Sequence, residues 1–313
     1  MGDREGEGRQ ESKQQPAQGL QLDGGVPVVA FGGASGSIDS LRTLLSRVPE
    51  HSGLAFVAVL DIPTEDEAAS IQQLKDSTAL PVVLLSDTAQ RIRSNHVYMA
   101  AAGRGVRALD GHLQPGFPAP ENGGILLIDQ FFRTLADSHG QHAAGVVLGG
   151  WESDGMVGIK RIKERGGLTV AQDPAQTAQG AAPRAAIATG MVDWVLPVED
   201  IGPRLSEYFQ LEHNLRLPPE KEPRRAAGRG AGTGTQGGND EAALRDVLTF
   251  LRTRTGRDFA YYKRATILRR IGRRMQVNGV ENLHDYLNCL RTRPGEAGAL
   301  LQDLLISVTN FFR

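Results

Sequence analysis

The 313-residue sequence has a single cysteine, Cys289, and aromatic residues make up only 5% of it. One cysteine excludes an internal disulfide and suits a reducing compartment. A formal net charge of −1 argues against binding nucleic acid or a membrane by bulk electrostatic attraction. No run approaches the roughly 18 apolar residues of a membrane-spanning helix, and the N-terminus lacks the apolar core of a signal peptide. We therefore expect a cytoplasmic protein with no direct membrane insertion and no nucleic-acid partner.

The apolar residues that are present form short runs, separated by longer mixed segments, between residues 24 and 210. The predicted strands cover 26–31, 54–60, 81–84, 96–99, 145–148, 168–171 and 194–196. The predicted helices cover 38–47, 65–75, 128–138, 157–165 and 182–189, and residues 106–113 predict a local hairpin around Asp110-Gly111. Nearly continuous apolar strands joined by helices are typical of a parallel sheet covered on both faces. The expected fold class is α/β, with a doubly wound and mostly parallel sheet.

Two segments with little apolar periodicity flank this domain. Residues 1–23 are rich in Gly, Gln, Glu, Arg and Ser and predict a disordered tail. Residues 211–239 contain several prolines followed by a Gly/Thr-rich stretch, and they predict a linker whose flexible part spans about 25 Å. Such a linker would keep the domains on either side near each other without a fixed geometry.

A small all-α domain is predicted over residues 240–307. Asp240 has the character of a helix N-cap, and Gly256 stands where that helix would stop. The apolar stripe of this first helix follows helical spacing and consists of Leu244, Val247, Leu248 and Leu251. Further helices are predicted near 263–278, 283–291 and 295–305. Residues 308–313 carry no terminating signal, so we expect them to begin a further domain.

The glycine turn at residues 32–37 is the first candidate site, because it joins a buried strand to the start of a helix. In a doubly wound sheet this turn lies at the carboxyl edge, where ligands bind. Free backbone N–H groups at the helix start suit an anion or an oxyanion. The glycine spacing does not give G-x-G-x-x-G and no Walker lysine follows, which argues against a nucleotide site. A turn that serves packing alone is the alternative interpretation.

The order of segments over residues 26–209 resembles the CheB-type protein-glutamate methylesterase domain of bacterial chemotaxis. That family opens with a strand and Gly-Ala-Ser-x-Gly-Gly, in which the serine is the nucleophile. Here residues 32–37 occupy those places and the serine position is Ala34. The second strand ends in Gln-His in the family, and here the histidine position is Asp61. Residues 148–155 match the segment that carries the catalytic aspartate, which corresponds to Asp154.

Two of the three positions that the resemblance assigns to catalysis therefore hold the wrong residue type. Ser-His-Asp chemistry needs a hydroxyl, a base that accepts its proton and a carboxylate that orients the base. The methyl group of Ala34 cannot attack, and a carboxylate is a far weaker base than imidazole at neutral pH. In serine hydrolases the loss of the nucleophile or the base costs on the order of 10⁶ in turnover. A substitute hydroxyl at Ser35 or Ser37 would need a shift of register on a tight turn.

Residues 240–313 resemble the N-terminal helical domain of CheR-type glutamate methyltransferases, which use S-adenosylmethionine. The residues that carry this resemblance lie in four stretches, at 254–259, 262–275, 285–287 and 309–313. The resemblance implies that a basic face on the second helix docks the acidic methylation region of chemoreceptors. That face consists of Arg270, Arg273 and Arg274. The alternative interpretation is a solvated basic face.

The resemblance also implies the start of a cofactor site at Thr309 and Arg313, which is incomplete in this sequence. S-adenosylmethionine is expected only if the native chain continues past Arg313. No cofactor is expected for the first domain, and no metal site is predicted.

These observations predict a chemotaxis-type signalling protein. Its methylesterase-like domain is expected to be inactive and to act as a docking or regulatory module, tethered to a receptor-binding helical domain. The expected partners are the cytoplasmic region of a chemoreceptor or other signalling proteins. An active methylesterase or methyltransferase is the first alternative. A small-ligand or nucleotide sensor that uses the glycine turn is the second.

Overall fold

The computed structural model describes residues 25–118, 126–150, 154–220, 235–259 and 261–306. The strands in these ranges are β1 (Val28–Ala34), β2 (Ala55–Asp61), β3 (Val82–Leu84), β4 (Gln90–Arg91), β5 (His96–Met99), β6 (Arg104–Leu109), β7 (His112–Pro118), β8 (Ala143–Val147), β9 (Leu168–Gln172) and β10 (Trp194–Leu196). The α-helices are α1 (Ile38–Leu45), α2 (Glu67–Ser77), α3 (Leu127–His139), α4 (Met156–Arg165), α5 (Ala181–Ala188), α6 (Val198–Leu211), α7 (Thr235–Thr255), α8 (Arg264–Asn278), α9 (Leu283–Thr292) and α10 (Glu296–Ile306).

The main sheet has seven strands in the order β10-β9-β8-β1-β2-β5-β3, and its strand pairs are parallel. Helices cover both faces, so the sheet separates two apolar clusters. Consecutive residues of β1 point to opposite faces, and both Val29 and Ala30 are fully buried. This two-sided burial is why the strands are continuous apolar runs. The predicted doubly wound α/β fold is confirmed, and the seven predicted strands each match a strand of this sheet.

The sheet changes winding direction at β1. The chain runs from β1 to β2 on one side of it, and later returns to the other side through β8, β9 and β10. The carboxyl end of β1 is therefore a topological switch point, where open α/β sheets form their ligand crevices. Ala34 is the last residue of β1.

A second, antiparallel sheet has the order β4-β7-β6 and includes the predicted hairpin. Asp110 and Gly111 both have positive φ, at 48° and 71°, as a two-residue hairpin turn requires. The short strand β4 and the helix α6 were not predicted from the sequence.

Helices α7 to α10 form the second domain around an apolar cluster of their own. The helices near 263–278, 283–291 and 295–305 are confirmed as α8, α9 and α10. Gly256 follows α7 with φ 71°, and Gly279 ends α8 with φ 70°. The predicted N-cap at Asp240 is wrong, because α7 already begins at Thr235 and Asp240 lies inside it.

The two domains are in contact. The side chain of Val277, near the end of α8, is 5% exposed and belongs to an apolar cluster of the first domain with Tyr208 and Phe209. The first part of the predicted linker also packs on the helical domain, since Arg216 forms a backbone bridge with Asn282. The prediction that the linker leaves the two domains without a fixed geometry is therefore wrong. No helix in the described ranges is both long and apolar enough to cross a membrane.

Candidate functional site

The carboxyl edge of the sheet brings the three predicted catalytic positions to neighbouring elements. Ala34 and Asp61 are direct register partners at the ends of β1 and β2. On the other side of β1, the N–H of Ala34 donates to the carbonyl of Gly149 over 2.9 Å. These pairings place the ends of β1 and β2 and the loop after β8 side by side. We call this part of the carboxyl edge the crevice, after the place where open α/β sheets bind ligands.

The two candidate substitute serines differ in their surroundings. Ser37 is 1% exposed and its hydroxyl donates to the carbonyl of Gly149 over 2.5 Å. A Cβ added at Gly33 would lie 2.7 Å from this hydroxyl oxygen, so the turn is closely packed here. Ser35 is exposed at the start of a single 3₁₀ turn. The hydroxyl of Ser37 therefore holds the turn together, and only that of Ser35 faces solvent.

Asp61, at the position that the sequence resemblance assigns to a histidine, is exposed and ends β2. The exposed carboxylates of Glu65 and Asp66 follow in the next turn, so this side of the crevice is acidic. His96 is the first residue of β5 and lies at the amino edge of the same sheet, opposite Asp61. It cannot serve as a base at the carboxyl edge.

Asp154 binds the N-terminus of α3. One carboxylate oxygen accepts from the N–H of Ile128 over 3.0 Å and the other from the N–H of Asp129 over 2.9 Å. In return, the Asp129 carboxylate accepts from the N–H of Gly158 in the first turn of α4 over 2.6 Å. Burial raises the pKa of Asp129 above its usual value, and the nearby charge of Asp154 adds to this effect. The two carboxylates thus cap each other's helices.

Sequence reasoning assigned Asp154 to catalysis and missed this capping role. A signal was available, because the residue at the N-cap position of α3 is Leu126, which has no side-chain acceptor. A buried helix start without a local cap requires an acceptor from elsewhere in the fold.

Replacing Asp154 by alanine is expected to lower the free energy of unfolding by about 1–2 kcal/mol, because two N–H groups of α3 lose their acceptor. Chemical denaturation measures this loss. The matched control is Asp87→Ala, whose carboxylate pairs with Arg104 at an exposed surface, where the expected change is below about 1 kcal/mol. Equal stability of Asp154→Ala and the control would contradict the capping role.

Gln172 fixes the loop after β8. Its side chain is 1% exposed; the amide oxygen accepts from the N–H of Gly149 over 3.1 Å, and the amide nitrogen donates to the Ser40 hydroxyl over 3.1 Å. The next N–H, of Gly150, donates to the carbonyl of Gln179 over 2.6 Å. The N–H groups of Ala34, Gly149 and Gly150 are therefore all used within the chain. They are not available to stabilise an oxyanion in this arrangement.

Residues 29–205 match the CheB methylesterase family, and residues 242–305 match the all-alpha domain of the CheR methyltransferases. The chain belongs to the CheB methylesterase family. It joins a CheB-like domain to a CheR-like helical domain, as the sequence predicted.

Among similar proteins, an "uncharacterized 104.1 kDa protein in hypE 3'region" of Rhodobacter capsulatus is 34% identical over 246 residues, which are 75% of this chain and 25% of that protein. A protein-glutamate methylesterase/protein-glutamine glutaminase of Moorella thermoacetica is 33% identical over 191 residues, 58% of this chain and 44% of that protein. The chain therefore spans less than half the length of both relatives.

The crystal structure of the Thermotoga maritima CheB methylesterase catalytic domain is similar to the first domain. It aligns with a TM-score of 0.53 and 23% sequence identity, and covers 58% of this chain and 97% of that one. This likeness establishes the fold of the CheB-like domain. It says nothing about its activity, which depends on the side chains at the carboxyl edge.

The arginines of the CheR-like domain lie at the opposite side of the CheB-like domain. Arg270, Arg273 and Arg274 are 3%, 4% and 5% exposed, because α8 packs on the amino edge of β9 and β10. Receptor binding by these arginines stays a prediction. Thr309 and Arg313 lie outside the described residues. Within the described ranges, no group of three or more His, Cys, Asp or Glu side chains is placed to hold a metal ion.

Proposed function

We propose that this chain is a chemotaxis-type signalling protein whose CheB-like domain is catalytically inactive. The CheB-like domain serves instead as a module on which the CheR-like domain docks. The observation that carries this proposal is the pairing of Ala34 with Asp61 at the switch point of the sheet. These are the two positions where hydrolysis of a glutamyl ester by a serine nucleophile would need a hydroxyl and an imidazole.

The remaining groups of the crevice do not replace the lost ones. The Ser37 hydroxyl is bound to Gly149, and the Asp154 carboxylate is bound to the N-terminus of α3. Ser35 is exposed, but the histidine position holds Asp61, whose carboxylate is a poor general base at neutral pH. Without nucleophile and base, turnover falls on the order of 10⁶-fold in a serine hydrolase.

The turn after β1 and the loop after β8 have a structural role, which supports a fold that is retained without ester hydrolysis. The turn after β1 is closed by Ser37 and Gly33, and the loop after β8 is held by Gln172. These contacts stabilise the sheet edge and need no reaction. The opposite edge of the sheet carries the CheR-like domain.

We expect the full chain to release no methanol above background from a peptide that carries a glutamate γ-methyl ester. The Thermotoga maritima CheB methylesterase catalytic domain is the positive control, and gas chromatography of methanol is the measurement. Ser35→Ala is expected to leave the background unchanged, because the Ser35 hydroxyl has no imidazole beside it. Hydrolysis by the full chain that Ser35→Ala abolishes would overturn the proposal.

The partners that we propose are the cytoplasmic region of a chemoreceptor or other signalling proteins. The match of residues 242–305 to the CheR family supports this proposal. S-adenosylmethionine is proposed as a cofactor only for a chain that continues past Arg313.

A further inference from the structure

The end of α4 offers a set of carbonyl oxygens that hold two arginines of α8. The guanidinium of Arg270 donates to the carbonyl of Glu164 over 3.0 Å. That of Arg273 donates to the carbonyls of Gly166 over 3.2 Å and Gly167 over 2.8 Å. The last carbonyls of a helix have no intrahelical partner and carry partial negative charge, so cations are favourable there.

Asp193, just before β10, completes this site. Its side chain is fully buried, and its carboxylate accepts from Arg273 and, over 3.0 Å, from Arg274. Lys163 of α4 donates to the same carboxylate over 2.5 Å. Burial alone would raise the pKa of Asp193, but the charges of Arg273, Lys163 and Arg274 outweigh burial and hold it well below its usual value. We call Asp193 and the carbonyls of Glu164, Gly166 and Gly167 the arginine socket.

The guanidinium groups of Arg273 and Arg274 are also bound within the CheR-like domain, through the edge that faces away from the socket. Arg274 donates to both oxygens of Glu296, over 2.9 and 2.5 Å, and Arg273 donates to Asp303 over 2.5 Å. Each of these two arginines therefore presents one edge to its own domain and one to the CheB-like domain. Removing the socket would leave the inner pairs in place and expose the outer edges.

An apolar contact supports the ionic one. The Val277 side chain enters the apolar cluster of the CheB-like domain, while the cluster of the CheR-like domain does not include it. The Val277 carbonyl accepts from the indole N–H of Trp194 over 3.1 Å. The contact between the domains can thus be weakened from either side, at Asp193 or at Val277, and Trp194 reports on it.

We propose that the arginine socket is an autoinhibitory latch, which withholds the outer guanidinium edges of α8 from an acidic protein partner. This inference rests on the proposed function, and names the regulation that the docking module exerts. Guanidinium groups bind carboxylates with paired, charge-assisted hydrogen bonds, so an outside carboxylate competes with Asp193 for the same edges. A face that is open about 1% of the time binds its ligand about 100-fold more weakly than an open face.

The test measures binding of a fluorescein-labelled peptide of twenty glutamates to the full chain by fluorescence anisotropy. Every variant carries Trp151→Phe, so that Trp194 is the only tryptophan and its emission reports on the domain contact. Asp193→Asn and Val277→Ser are each expected to shift Trp194 emission to the red. Each is also expected to bind the peptide about tenfold more tightly or better.

The matched control is Asp76→Asn, which removes the same charge from an exposed site on α2 and is expected to change neither readout. Adding Arg270→Gln to Val277→Ser is expected to reverse the gain in affinity. Emission that shifts without a gain in affinity would overturn the latch, as would unshifted emission in both variants or an equal gain in the control. Ester hydrolysis at the carboxyl edge is a separate measurement, so the failure of one proposal is distinguishable from failure of the other.

Discussion

The double variant Ala34→Ser/Asp61→His is expected to hydrolyse a glutamate methyl ester peptide roughly 100-fold faster than the background of the unmodified chain. The two positions are register neighbours at the ends of β1 and β2, so the introduced hydroxyl and imidazole would share one side of the crevice. A serine–histidine pair can carry out acyl transfer without its aspartate, at a much reduced rate.

The expected gain is far below the full 10⁶-fold of an intact triad for a reason that the structure gives. Both carboxylate oxygens of Asp154 already accept N–H groups of the N-terminus of α3. These bonds fix the carboxylate for capping that helix, so we expect it to orient the introduced imidazole poorly. In a serine protease, loss of the aspartate alone costs about 3 × 10⁴ of the triad's roughly 2 × 10⁶-fold contribution to turnover, which leaves a gain of about 100-fold over the protein without a triad. The N–H groups at Gly149 and Gly150 are also used within the chain.

Methanol release by the double variant is to be compared with that of Ala34→Ser and Asp61→His alone. Neither single change supplies both nucleophile and base, so each is expected to stay at background. If the double variant does no better than Ala34→Ser, the carboxyl edge has lost the geometry of its relatives as well as their side chains.

Replacing Glu296 by alanine is expected to lower the free energy of unfolding by about 3–5 kcal/mol, because it leaves a buried arginine without its main partner. Glu296 is 6% exposed and accepts two hydrogen bonds from the Arg274 guanidinium. It also accepts from the Tyr286 hydroxyl over 2.8 Å. Burial and the charge of Glu296 raise the pKa of Tyr286 well above its usual value, so the phenol stays a donor at neutral pH.

Calorimetric unfolding of the full chain measures this effect. Glu281→Ala removes a carboxylate from an exposed position of the same domain and is expected to change stability by less than about 0.5 kcal/mol. The double variant Glu296→Leu/Arg274→Met is expected to recover part of the loss, because it removes both charges of the pair and Asp193 keeps Lys163 and Arg273 as partners. A small effect of Glu296→Ala would show that water reaches the Arg274 guanidinium.

The sequence predicted the sheet well because its central strands β1, β2, β8 and β9 are buried on both faces over nearly their whole length and so are mostly apolar. It predicted the hairpin because Asp110-Gly111 is a pair of residues that tolerates positive φ. It missed β4, which is only two residues long. It also missed α6, whose buried apolar residues follow helical spacing but are interrupted by Pro203, and it placed the start of α7 too late. An aspartate such as Asp240 occurs both inside helices and at N-caps. The two cases differ in whether the residues before it are helical, as they are in α7.

The site was predicted in part. The residue types at positions 34 and 61 led to the proposal that a serine–histidine mechanism is missing, because Ala34 has no hydroxyl and Asp61 has no imidazole. The sequence alone left open whether Ser35 or Ser37 could replace the nucleophile. The tertiary structure binds the Ser37 hydroxyl to Gly149, over a sequence separation of 112 residues.

What the sequence determined by itself is local: strand and helix periodicity, turn chemistry, and the identity of the side chains at Ala34 and Asp61. What only the tertiary structure decided is the partner of each buried charge. The carboxylate of Asp154 caps a helix that starts 27 residues earlier in the chain, and the arginines of α8 meet Asp193 about 80 residues away. A buried charged side chain needs an opposite charge or a hydrogen-bonding group as its partner. Many residues could supply that group, and the tertiary fold determines which one lies close enough.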